Sequence, residues 1–252
     1  MGGPHLGKVV LFAVARFEAE VNTRGYRTVW GGTEAFGVGS LLPGQVVAVE
    51  AAGAVVPDDL FPEEATIVAN ACEDRKTEFA RARSCARRAL AGLHCPALAL
   101  PKGPDREPLW PPGVVGSITH CDGYCCAAVG LAEHWSGIGI DAEIVQDLSP
   151  DLERQILLDE ELEHVACLDP SLASAWACVM FSAKEALFKA WYPRTRRWLD
   201  FHDAALRLDT KKGEFEAHLR IEDATFGGVR RSAFQGRFCM DGSRVLTALC
   251  IR

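Results

Sequence analysis

Residues 172–191 set the strongest constraint on the fold. Apolar side chains recur at Leu172, Trp176, Val179, Met180, Ala183, Leu187, Ala190 and Trp191, the spacing of one helical face. A helix this apolar has to lie against other structure. Yet its end, "FSAKEALFKAWYP" (181–193), sets Lys184, Glu185 and Lys189 among Phe181, Leu187, Phe188 and Trp191. Glu185 falls roughly opposite the apolar stripe. Glu185 and Lys189 have the spacing and order of a helix ion pair, which contributes about 0.3–0.5 kcal/mol. On their own, these charges fit a solvated face as well as they fit a site.

The rest of the chain supplies partners for such a helix. "KVVLFAVAR" (8–16) and "QVVAVEA" (45–51) read as strands. Residues 62 to about 92 read as one helix, opened by Pro62 with Glu63 and Glu64 in its first turn and closed by "GLHCP". The proline-rich stretch 101–113 reads as an ordered loop, since it carries Trp110 and basic groups. Three short apolar runs follow: "VVGSITH", "YCCAAVGLA" and "SGIGIDAEI". Helices near 150–166 and 171–192 come next. The tail reads as strands at 204–208, 214–221, 230–240 and 244–251, with turns at Gly213–Glu214 and "MDGSR". The expected class is α+β, with two similar-sized halves, 1–135 and 136–252.

Composition narrows the function. The net charge of −7 argues against non-specific nucleic-acid binding. No apolar run is long enough to span a bilayer, and the first residues lack the pattern of a secretory leader. The ten cysteines include no CxxC pair and sit mostly among apolar or small residues. They read as reduced core residues of a cytoplasmic protein, not as a zinc site. One segment goes against the overall charge. "RKTEFARARSCARRAL" carries Arg75, Lys76, Arg81, Arg83, Arg87 and Arg88 against Glu78, so it is either a solvated basic face or a place for a compact polyanion.

"GIGIDAEI" (137–144) adds an acidic pair. On a strand, Asp141 and Glu143 point the same way, and two carboxylates on one face repel unless a cation lies between them. A hard divalent ion such as Mg²⁺ takes carboxylate and phosphate oxygens, and the small Ala142 is expected to leave room for a ligand at the backbone. Two solvated acids at a strand end remain the alternative. In "GSITHCDGY", His120 follows Thr119 at a strand end, with Ser117 nearby, and all three can donate to phosphate oxygens.

"GSITHCDGY", "GIGIDAEI" and "FSAKEALFKAWYP", in this order, resemble the three signature segments of the Sfp-type 4′-phosphopantetheinyl transferases. "TEFARARSCARRAL" and "PKGPDREPLWPPGVVGS" are similar to upstream segments of the actinobacterial branch, so the likeness covers roughly residues 70–200. The resemblance implies a pseudo-twofold fold of two α/β halves with the active site between them. It implies Mg²⁺-dependent transfer of the phosphopantetheine arm of coenzyme A to a serine of an acyl, peptidyl or aryl carrier protein, releasing 3′,5′-ADP. The protein is then expected to be monomeric, with neither nucleic acid nor membrane as partner.

By the same resemblance, Asp141, Glu143 and Glu185 hold the metal, and Glu185 also serves as general base. Lys189, and more weakly Lys184, serves phosphate. His120 with Thr119 binds coenzyme A phosphate, and Arg75, Arg83 and Lys102 surround the 3′-phosphate and pyrophosphate. Ala142 is the small residue between the acids, and carrier docking is expected on apolar and basic surface near 144–170. Departures stand at Ala82, where the branch often has Gly, at Cys125, where it often has Arg, and at Arg106 or Glu107, where it commonly has a small residue. A silent coenzyme A or carrier binder is one rival reading. A different Mg²⁺-dependent nucleotide enzyme is another, weakened by the lack of GxxxxGK[ST] and of a GxGxxG turn.

Overall fold

A computed structural model of the chain describes residues 26–30, 36–53 and 55–252. The expected strand at 8–16 lies outside them. In chain order the elements are β1 (Tyr26–Trp30), β2 (Val47–Ala52), α1 (Pro62–Ile67), α2 (Glu73–Gly92), β3 (Val114–Cys121), β4 (Tyr124–Leu131) and β5 (Gly137–Ile144). There follow α3 (Pro150–Ile156), α4 (Asp159–Ala166), α5 (Ala173–Thr195), β6 (Ala204–Asp209), β7 (Glu214–Leu219), β8 (Thr225–Phe226), β9 (Val229–Arg230), β10 (Ala233–Met240) and β11 (Arg244–Ile251). The fold is α+β.

Two antiparallel sheets carry the structure. One has the order β1-β2-β4-β3, the other β5-β11-β10-β7-β6. Alternation decides what each face meets. Val47, Val49, Ala127 and Val129 turn towards α2, where Cys85, Ala86, Ala89 and Leu90 cover them. Phe215, Ala217, Val245 and Leu249 turn towards α5 and pack on Val179, Met180, Ala183 and Leu187. The opposite faces meet in a third core, with Ala48, Cys126 and Ala128 from one sheet and Ile138, Ile140, Ala142 and Leu246 from the other. The edge strands β3 and β5 lie side by side. Ile140 N donates to Ser117 Oγ at 3.2 Å and Ala142 N to Thr119 Oγ1 at 3.1 Å.

Several boundaries differ from the sequence reading. The helix expected over 62–92 is two helices, broken at 68–72. The break lets Glu64 fold back under α2, where it accepts from Arg87 Nη1 at 2.7 Å and from the backbone N–H groups of Phe61 and Leu100. The helix expected over 150–166 likewise breaks at Leu157–Leu158. The β8–β9 hairpin was not anticipated. Its strands are two residues each, too short for a period to register, and Gly227 and Gly228, with φ 60° and 83°, make the turn. Cys72 and Cys167 are exposed rather than core, and all ten cysteines are free. Among the described residues, no single helix is long and apolar enough to cross a membrane.

Candidate active site

The acids of β5 and the charges of α5 meet because two glycines let strand and helix touch. Gly137, Gly139 and Asp141 share one face of β5. A Cβ at Gly139 would fall 1.8 Å from the Ala186 carbonyl oxygen, and one at Gly137 2.7 Å from that of Ala190. On the helix side the contact is made by alanines, Ala186 and Ala190, beside Glu185 and Lys189. This backbone approach escaped the sequence reading. Its signal was the alternation of Gly137 and Gly139 with Asp141, opposite two alanines four apart.

At the centre, Lys189 Nζ donates to Asp141 Oδ1 at 2.5 Å. Thr119 Oγ1 donates to the same oxygen at 3.2 Å. Asp141 Oδ2 is buried and has no partner. Burial, then the charges of Asp141 and Glu185, push Glu143 up to about 7 despite Lys189. Glu185 is raised too, by burial first and Asp141 second, with Lys189 opposing. Lys189 loses hydration, which lowers its pKa, but Asp141, Glu185 and Glu143 outweigh that and hold it above its ordinary value.

A second group forms on the other face of β3. Arg75 Nη1 donates to His120 Nε2 at 3.1 Å and to Glu78 Oε2 at 3.0 Å. Accepting from a guanidinium requires a neutral imidazole nitrogen, and lost hydration, with Arg75 and Lys189 nearby, lowers the His120 pKa. A cleft of about 250 Å³ opens beside this pair, between α2 and the β3–β4 hairpin, lined by Asp74, Thr77, Glu78, Arg81, His120 and Asp122 among others.

Other expected residues lie elsewhere. Lys184 is not at the site. Its ammonium is buried on the far side of α5, donating to Glu161 Oε2 at 2.7 Å and to the carbonyls of Ile156 and Phe201 at 2.8 Å each, so its expected service to phosphate is corrected. The Thr119 hydroxyl is committed to Asp141 and to the Ala142 amide, so it positions the acid rather than offering a free donor to phosphate. The Ala142 methyl faces the core between the sheets, away from the acids, so its small size serves packing there. Arg83 is buried, with its guanidinium 4.4 Å from the Phe79 ring centre and its Nε 3.8 Å from Glu64. Burial, followed by Arg87 and Arg75, lowers its pKa to about 10 despite Glu64. Lys102 stands exposed on the proline-rich loop. Asp147, Asp151, Asp159, Glu160 and Glu163 are exposed in the 144–170 segment, so that surface is acidic rather than basic.

The site residues suit a hard cation. The donors are carboxylate oxygens, one buried oxygen has no partner, and burial, helped by the charge of Asp141, raises the proton affinity of Glu143 and Glu185. Among the described residues, no three His, Cys, Asp or Glu side chains are already gathered into a closed cage. The crowding has a measurable consequence. A carboxyl whose folded pKa is raised holds its proton better when folded, so its ionisation costs stability as pH rises from about 4.5 towards 7. Glu143→Gln removes that cost. The variant should be more stable than the parent at pH 8 by about 1–2 kcal/mol, a shift of a few degrees, and no more stable at pH 4. Calorimetry at the two pH values checks this, and equal melting at pH 8 would mean that burial and the neighbouring acids do not raise Glu143.

The fold is thus α+β, with carboxylates of β5 and α5 gathered around Lys189 and an arginine–histidine pair on the other face of β3. Comparison with known proteins is specific. Residues 63–130 match the family model of the 4′-phosphopantetheinyl transferase N-terminal domain, and residues 137–239 that of the 4′-phosphopantetheinyl transferase superfamily. The chain is 42% identical over 219 residues to 4′-phosphopantetheinyl transferase Svp of Streptomyces mobaraensis, covering 85% of this chain and 89% of that one. It is 38% identical to PptT of Mycobacterium tuberculosis, covering 76% and 86%, and 39% identical to Npt of Nocardia iowensis, covering 77% and 90%. The chain belongs to the 4′-phosphopantetheinyl transferase superfamily and is a transferase.

Proposed function

We propose that this chain transfers the 4′-phosphopantetheine arm of coenzyme A to a serine hydroxyl of an acyl, peptidyl or aryl carrier protein, in a Mg²⁺-dependent reaction. The observation that carries the reading is the Asp141–Lys189 contact, flanked by Glu143 and Glu185, in a member of this superfamily. Asp141, Glu143 and Glu185 would hold Mg²⁺, which when bound supplies charge stabilisation on the pyrophosphate. Glu185 takes the proton of the carrier serine. The serine oxygen forms a bond to the phosphorus that bears pantetheine, and the bond from that phosphorus to the bridging oxygen breaks. The electron pair leaves with 3′,5′-ADP, and Lys189 offsets the charge on its released phosphate. Arg75 and His120 receive the phosphates of coenzyme A at the cleft, Lys102 adds charge from its loop, and Arg83 contributes from behind. Thr119 keeps Asp141 in place. The two helix-backed sheets are read as the pseudo-twofold halves, 1–135 and 136–252, acting as a monomer. The free cysteines fit a reducing compartment, the cytoplasm.

Intact mass spectrometry tests the proposal. Apo carrier proteins incubated with this chain, coenzyme A and Mg²⁺ should gain one phosphopantetheine group, and EDTA should abolish the gain. Coenzyme A binding with no gain on any carrier would mark a silent binder instead.

A further inference from the structure

The proline-rich loop is pinned to the far end of α5. The loop closes on itself first. Lys102 bridges to Pro108, Gly103 N donates to Glu107 O at 2.8 Å, and Leu109 N donates to Pro101 O at 2.9 Å. Asp105 N donates to Glu107 Oε2 at 3.1 Å. Two contacts then cross to the helix. Arg196 Nη1 donates to Glu107 Oε1, and the Tyr192 hydroxyl donates to Asp105 Oδ2. The partners are 89 and 87 residues apart in sequence.

Three features mark this as a built contact rather than a chance surface pair. The Glu107 side chain is only 6% exposed, although Arg196 is half exposed. Gly103 makes room for it, since a Cβ there would lie 2.1 Å from Glu107 Oε1. Arg106 and Arg196, on the two sides of the contact, both adopt left-handed backbone, with φ 73° and 55°. Glycine is the residue that takes such positions without cost. Holding arginine there needs surrounding structure to enforce it.

Glu185, Lys189 and Tyr192 follow one face of α5, spanning two turns or about 10 Å. The pinned loop therefore sits at the end of the acid–lysine line and brings Lys102 with it. We propose that Glu107 and Arg196, assisted by Asp105 and Tyr192, are positioning residues that hold the 101–109 loop against α5 and thereby set the affinity for coenzyme A. This rests on the transferase reading above.

Calorimetric titration of coenzyme A into the full chain tests it, using Glu107→Gln and Arg196→Gly. Arg196→Gly is informative because φ 55° suits glycine, so the latch is lost with no new backbone strain. Each single variant should raise the Kd and KM for coenzyme A about tenfold, with kcat and the carrier KM within about twofold. Unchanged coenzyme A affinity in both single variants would overturn the proposal. A second readout needs no ligand. Amide exchange at Asp105, Arg106 and Leu109 should speed up in both single variants, and unchanged exchange overturns the latch. If the parent binds no coenzyme A, the transferase reading fails, and amide exchange still judges the latch on its own.

Discussion

Glu185→Gln is expected to cut turnover by about 10²–10⁴-fold while fold and coenzyme A binding persist. The side chain projects from α5 beside Asp141 and Lys189, and burial with Asp141 raises its proton affinity, the direction that favours a general base. Gln keeps the shape and an oxygen donor but cannot accept the serine proton. Single-turnover transfer to an apo carrier measures the loss, and calorimetry checks that coenzyme A still binds. Full activity in this variant would remove Glu185 from the mechanism.

The neighbouring residue should behave in the opposite way. Lys184→Met is expected to cost about 3–5 kcal/mol of stability. Its ammonium meets Glu161, whose side chain is fully buried, and two carbonyls. Without it, the Glu161 carboxylate keeps only the N–H groups of Leu158 and Leu206. Urea unfolding measures the loss, and the folded fraction should still bind coenzyme A as the parent does. A variant of normal stability that had lost coenzyme A affinity would return Lys184 to the phosphate site.

This contrast marks where the sequence could be read and where it could not. The α5 stripe, the β5 acids and the longer strands from β2 onwards were legible because helix and strand periods govern them. Which way Lys184 and Lys189 point was harder. They are five residues apart, on different faces of one helix, and only the packing of α4 and β5 against those faces assigns each its acid. The basic run in α2 misled for a similar reason. Arg87 and Arg88 are met by Glu64 and Asp58, upstream acids that fold back beneath the helix. Thr119 was seen as a donor, but its partner on β5 could not be chosen before the two sheets were placed. The Glu107–Arg196 contact joins segments far apart in the chain, and no local pattern announces it.

The seam between β3 and β5 has a consequence for solubility. Each is the last strand of its sheet, and an open strand edge is a template for a foreign strand and so for aggregation. Here Ser117 and Thr119 occupy the outer amides of β5 with hydroxyls instead of a backbone ladder. The edge is guarded, yet the two sheets are not fused into one continuous surface. Replacing these hydroxyls would leave the Ile140 and Ala142 amides buried and unpaired, so Thr119, which also donates to Asp141, holds an acid in place and closes a strand edge at once.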